Sequence, residues 1–343
     1  MSSSTISKNR PDIFFPWKRK EIMKNLARHL LPLLIGLVFA SIIWQVGETM
    51  LADFWNKTSL SIFGSSLVEL PTMDKNGIPM QYYPSAGKVY NPELIASQSS
   101  RFYKTRIEET RKNAFLLYSK WLEDNLDADG NIPDNYDYPK AGLKKPWYSA
   151  ASNSATMLAL AERAGNLHNP ETFIKAQKML YNLQPETGNF SFYEKDGGIW
   201  FQEFPTEPYS LYGMLKTLAN LAEYQKLVED SLSLKLFQQG TIALKAKLPQ
   251  LAKENLLDDK YHFKNKRIEH IELVSLLEDV NAATQDSVFT PYIQTYKVKN
   301  KQFVLFQFFS PFQPGRIIGF LFGWAILYLI AYLFLKPKKD REL

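Results

Sequence analysis

The chain of 343 residues carries 41 Lys and Arg against 35 Asp and Glu, four His and no Cys. The missing cysteines exclude disulfides, thiolate catalysis and cysteine-ligated zinc or iron–sulfur sites. The four histidines (His29, His168, His262, His270) are too scattered for a metal motif, so no metal or cofactor is expected.

Two uncharged stretches mark the ends, residues 30–46 and 317–335. Each approaches the roughly 17–25 apolar residues that cross a bilayer. The second is flanked by Arg316 and Lys336. The first is short, yet reads as a retained anchor rather than a signal peptide, because no small-x-small site follows it cleanly. Residues 1–29 hold seven Lys and Arg against two acids, and residues 336–343 hold four against two. Positive ends stay cytoplasmic. The expectation is a two-pass protein with cytoplasmic tails and an extracytoplasmic centre, periplasmic in a bacterial inner membrane.

The tails hold 11 of the 41 bases and 4 of the 35 acids, which leaves the centre with 30 and 31. The sequence pI of 9.1 is therefore a property of segments beside lipid headgroups. Nucleic acid is not an expected partner; the lipid bilayer is.

Residues 47–74 read as a juxtamembrane connector with a strand-like run at 60–64. Helical spacing follows at 102–125, 149–164, 171–183, 206–224 and 231–248, and more weakly at 268–281 and 289–298. A short aromatic hairpin is expected at 188–201, and 300–316 reads as a second connector. Helices in consecutive pairs with aromatic-rich loops predict a mainly α domain over 75–299. The expected fold is an (α/α) toroid or incomplete barrel with a short β-hairpin, flanked by two transmembrane helices. Such a ring surrounds a cleft, and aromatic faces beside carboxylates suit sugars. The segment at 200–208 concentrates both: Trp200, Phe201, Glu203, Phe204 and Glu207, with Pro205 and Pro208, ahead of a helix.

Five motifs in order resemble the C-terminal helical domain of the D-glucuronyl C5-epimerases. They are Asn76-Gly77-Ile78-Pro79 with Tyr90-Asn91-Pro92-Glu93; Trp121-Leu122-Glu123-Asp124-Asn125 with Gly130-Asn131; Pro146-Trp147-Tyr148-Ser149; Trp200-Phe201-Gln202-Glu203-Phe204-Pro205 with Gly213; and the helix from His270. The resemblance covers roughly 75–295. It implies C5 epimerisation of uronic acids without a cofactor. A base on one face removes the proton beside the carboxylate, an acid returns one from the other face, and donors or cations stabilise the charge between them.

The resemblance implies catalytic roles for Glu203 and for tyrosines. Glu203 stands at the family's glutamate, where it also suits the start of a helix. Phe204 stands where the family has a tyrosine, and a phenyl ring carries no proton. Tyr261 matches a second tyrosine, Lys266 replaces a third, and His270 keeps the family's final histidine. Tyr209, Tyr212 and Tyr193 are the candidates to supply the missing acid, with Tyr209 foremost. Trp147, Trp200, Phe204, Tyr212, Lys266, Arg267 and His270 are the expected substrate-binding residues.

Two functions follow. One is a membrane-anchored epimerase acting on an anionic polysaccharide during synthesis or export, beside a membrane glycosyltransferase or export complex. The alternative is a catalytically inactive, epimerase-like scaffold or glycan-binding subunit of such a complex. A glycoside hydrolase or lyase would need a second carboxylate opposite Glu203, for which Glu207 and Asp258 are candidates.

Overall fold

A computed structural model describes residues 16–66, 69–105, 108–187, 190–195, 197–206, 209–253, 266–301 and 314–335. The chain forms two units, Met1–Met50 with Gln302–Leu343, and Leu51–Lys301.

In the first unit, helix α1 (Pro16–Phe63, continuing into the second unit) meets helix α10 (Pro314–Leu335). The segment Ile317–Leu335, 19 residues with a mean hydropathy of 2.3, is long and apolar enough to cross a membrane by length and composition. The apolar part of α1, His29–Trp44, falls short of that length. The two helices run antiparallel, since His29 stacks on Tyr332 while Trp44 meets Phe320 edge-on. A Cβ on Gly36 would lie 2.9 Å from the Tyr328 backbone nitrogen, so glycine permits that approach. Ala40 and Phe320 are buried in the seam, while Val38, Phe39, Ile42, Ile318, Phe322 and Phe334 face outward.

The strand-like run at 60–64 is the last turn of α1. Its amides find intrahelical acceptors, and Gly64, at φ +67°, ends the helix with its N–H on the Leu60 carbonyl at 3.1 Å. The region expected as a connector is therefore largely helical. It also contributes a strand, because Leu70–Met73 (β1), Pro79–Tyr83 (β2) and Gly87–Val89 (β3) form an antiparallel sheet that the sequence reading did not anticipate. Asp74 makes the first turn, accepting from the Asn76 and Ile78 amides at 2.8 and 2.7 Å.

Among the described residues eight α-helices follow as four hairpins: α2 (Pro92–Lys104) with α3 (Glu109–Asp124), α4 (Ala150–Leu167) with α5 (Pro170–Asn182), α6 (Leu211–Val228) with α7 (Ser231–Lys253), and α8 (Lys266–Thr284) with α9 (Thr290–Lys301). The first members pack in succession, α2 on α4, α4 on α6 and α6 on α8, and each is backed by its hairpin partner. The helix expected at 102–125 is two helices, and the one expected from 206 starts at Leu211. The aromatic hairpin is β4 (Ser191–Tyr193) against β5 (Ile199–Phe201).

Capping residues explain where the helices begin. Asn91, Ser149, Asn169 and Ser210 each accept backbone amides at the next helix's start, with proline following both asparagines. Helix α4 is buried almost throughout from Ala150 to Ala164, having α2, α3, α5 and α6 around it. Its alanine- and serine-rich sequence is what such close packing on several sides requires.

Candidate active site

The turn after β5 is fixed from both sides. The Gln202 carbonyl accepts from the Ala150 amide at 2.9 Å, which ties it to the start of α4. Ser210, the cap of α6, accepts from the Gly213 amide at 3.2 Å and donates its hydroxyl to Glu203 Oε2. Glu203 is thereby held against the first turn of α6 at 4% exposure, where the helix dipole favours a carboxylate.

Two further carboxyls line the same pocket, Glu93 from the first turn of α2 and Asp134 from the loop between α3 and α4. The Tyr212 hydroxyl donates to Glu93 Oε1 at 2.5 Å and lies 3.4 Å from Glu272 Oε1. Burial, with the charges of Glu93 and Glu272, pushes the Tyr212 phenol well above its usual range, so it remains a donor. Lys216 approaches Glu93 at 3.8 Å.

Asp134 is fully buried, and its backbone pairs antiparallel with Trp147. Ser152 donates to Asp134 Oδ2 at 3.0 Å, while Oδ1 meets no well-formed hydrogen bond among the described residues. Burial pushes the Asp134 carboxyl up to about 8, and the charges of Glu93 and Glu203 add to it. The hydroxyls of Ser152 and Tyr136 favour the anion without offsetting the burial. At neutral pH this group carries a proton.

An aromatic wall closes the pocket. Phe204 stacks on Tyr138 at 5.8 Å and tilts against Trp147 at 5.9 Å, and Tyr136 stacks on Tyr83 at 5.4 Å. Asn91 donates to the Tyr83 hydroxyl at 2.6 Å, and Tyr138 donates to Glu69 at 3.3 Å. The remaining space, about 20 Å³, accommodates about one water molecule.

The residues expected from the sequence are placed unequally. Glu203, Phe204 and Trp147 line this pocket, and Tyr212 reaches it through Glu93. Trp147, Trp200, Phe204 and Tyr212 are core residues and form no exposed rim. Tyr209 lies elsewhere, edge-on to Trp200 and Phe192 with Lys247 over its ring at 4.2 Å. Tyr193 is exposed and donates to Glu186. Tyr261, Glu207 and Asp258 lie outside the described residues. Lys266, Arg267 and His270 belong to the start of α8, and their side chains are likewise outside the description. Among the described residues, no group of three or more His, Asp or Glu side chains is placed to hold a metal ion.

Asp134, Glu93, Ser152, Tyr83, Tyr136 and Tyr138 were not expected at the site. Asn135-Tyr136-Asp137-Tyr138-Pro139 resembles an ordinary turn, and only the pairing of Asp134 with Trp147 carries it to the site. The geometry defines a helical domain with a buried carboxyl-and-tyrosine site, equipped to hold and move protons away from bulk water. The model of the D-glucuronyl C5-epimerase C-terminus matches residues 127–298, just over half of the chain, and the chain belongs to that family. The match takes in Asp134, Trp147, Glu203 and Tyr212, while Tyr83, Glu93 and the motifs at 76–93 precede it. No curated protein sequence matches the chain.

Proposed function

We propose that the protein is a membrane-anchored, uronosyl C5-epimerase-like protein acting on uronic-acid residues of an anionic polysaccharide. The observation that carries this reading is the meeting of Glu203 with Glu93 and Asp134, from three separate segments, in one buried pocket. Buried carboxyls are costly, and such groups concentrate at functional sites.

In this reading Glu203 removes the C5 proton, and the electron pair shifts into the sugar carboxylate. Tyr212 holds Glu93 in place beside the site by donating its hydroxyl to it. Asp134 delivers its proton to C5 from the other face. One C–H bond breaks and one forms, so no oxidant or reductant is needed. Lys266, Arg267 and His270 are assigned to the sugar's carboxylates, and Tyr261 to restoring the proton that Asp134 gives up. The sugar enters when the wall of Tyr136, Tyr138, Trp147 and Phe204 moves aside.

The four hairpins are read as an incomplete (α/α) toroid; the serial packing of α2, α4, α6 and α8, each backed by its partner, supports it. The two-pass arrangement, with the helical domain outside the cytoplasm, rests on the apolar outer faces of α1 and α10 and on the basic tails. A membrane glycosyltransferase or export complex would supply the polymer.

A second reading, a non-catalytic glycan-binding subunit, is favoured by the closed pocket and by the phenyl ring of Phe204. Deuterium exchange separates the two. The purified protein is incubated with a glucuronate-containing polymer in deuterated water, and C5 deuterium is measured. Incorporation that disappears in Glu203→Gln supports the epimerase. Polymer binding with no incorporation leaves only the second reading.

A further inference from the structure

A second cavity, of about 480 Å³, lies among α2, α4, α6 and α8. That is within the roughly 300–1,000 Å³ of small-molecule sites. The carboxyl pocket, at about 20 Å³, is far smaller. The void has a simple cause, since the facing helices present alanines there (Ala155, Ala219, Ala222, Ala282 and Ala283) and larger side chains would fill it.

Its lining is basic. Arg101 and Lys104 of α2 and Lys216 and Lys226 of α6 face only two acids, Glu223 and Asp279. Glu223 is already engaged, with Lys104 at 2.5 Å and Lys226 at 2.6 Å. Lys216 reaches only Glu93, at 3.8 Å, and Arg101 has no acidic partner among the described residues. Burial and the charge of Glu223 raise the Asp279 carboxyl, against the pull of Lys104 and Lys226. Ser97 lines the same cavity, and its buried hydroxyl has no hydrogen-bond partner among the described residues.

Helix dipoles account for part of this pattern. Arg101, Lys104 and Lys226 sit in the last turns of their helices, where cations are favourable. They do not account for Lys216, in the second turn of α6, for the unpartnered serine or for the void. An empty space of this size with surplus positive charge and a free hydroxyl matches an anion attached to a small polar body.

We propose that this cavity binds an oxyanion-bearing molecule about the size of one sugar residue, its carboxylate or phosphate neutralised by Arg101 and Lys216 and hydrogen-bonded by Ser97. The site is separate from the carboxyl pocket and stands whether or not the protein epimerises.

Titration calorimetry on the full chain in nanodiscs tests it, with D-glucuronate, glucose 1-phosphate, inorganic phosphate and neutral glucose as probes. Saturable binding of at least one anionic probe, with none for glucose, is expected. The three anions separate a carboxylate site from a phosphate site. Affinity should fall at least tenfold in Arg101→Glu and in Ala219→Leu, which fills the void, and should stay within twofold in Lys175→Ala, a surface cation of α5 outside both cavities. Melting curves establish that both cavity variants are folded. No saturable anion binding, equal binding of glucose, or unchanged affinity in both folded cavity variants would overturn the proposal.

Discussion

Gly213 and Glu203 are in direct contact: a Cβ placed on Gly213 would lie 2.5 Å from Glu203 Cβ and 2.9 Å from its backbone nitrogen. The glycine in the first turn of α6 is thus what allows the glutamate to seat against the helix. Gly213→Ala sets two effects against each other. Alanine is favoured in a helix by up to about 1 kcal/mol, whereas overpacking a tight site costs about 1–3 kcal/mol. A contact this short makes overpacking win. Gly213→Ala should lower the melting temperature and reduce any C5 exchange by displacing Glu203. A melting temperature equal to or above that of the parent would show that Glu203 yields freely.

Asp134 gives the helical domain a pH dependence of definite sign. Burial raises its carboxyl to about 8, far above the ordinary aspartate value of about 3.9, so the folded state binds the proton more tightly than the unfolded state. The destabilisation is absent below the unfolded value, grows as pH rises towards 8 and is complete above it. The slope is at most about 1.4 kcal/mol per pH unit. Asp134→Asn cannot ionise and keeps an acceptor for Ser152. Between pH 5 and 8 the stability of the parent should therefore fall relative to this variant. Parallel pH profiles of the two proteins would refute the assignment.

Ser210 both caps α6 and donates to Glu203. Losing a cap costs about 0.5–2 kcal/mol, and a hydrogen bond to a charged group contributes about 1.5–3 kcal/mol. Ser210→Ala should therefore destabilise more than Asn169→Ala, whose cap serves α5 alone. Ser210→Thr, which keeps the hydroxyl, should recover most of the loss. Equal losses for Ser210→Ala and Asn169→Ala, measured by chemical unfolding, would remove the Glu203 contribution.

The helices were legible because their signals are local. Serine at 149, Asn-Pro at 169–170 and apolar spacing mark the starts and faces of α4 and α5, whereas α2 merges with α3 in the expected helix at 102–125 and α6 is expected five residues too early. The three-stranded sheet at 70–89 left no comparable trace, since its strands are three to five residues long and contain Pro71, Pro79 and Gly87. Of the site, Glu203 was legible through its motif. Glu93 and Asp134 were not, because they lie 110 and 69 positions earlier in the chain and only tertiary packing gathers them. Aromatic content also misled the reading of residues 200–204. Composition does not distinguish a ring that waits for a sugar from one that fills a core, and Trp200 and Phe204 are fully or almost fully buried.

The seam between α1 and α10 makes the last prediction. Ala40 and Phe320 are buried against each other there, and Gly36 allows the backbone of α10 to approach. Small residues at such crossings permit the close packing that holds apolar helices together where no hydrophobic drive separates helix from lipid. The chain has no cysteine of its own, so an introduced pair reports without background. Ala40→Cys with Phe320→Cys should form an intramolecular disulfide under mild oxidation in isolated membranes. Adding Gly36→Leu puts a bulky side chain where Tyr328 N would lie 2.9 Å from a Cβ, and the yield should drop several-fold. Cysteine pairs on the outer faces, such as Val38→Cys with Phe322→Cys, should not cross-link within one chain. An outer-face pair that links as readily as the seam pair would mean that the two helices do not meet through Gly36 and Ala40.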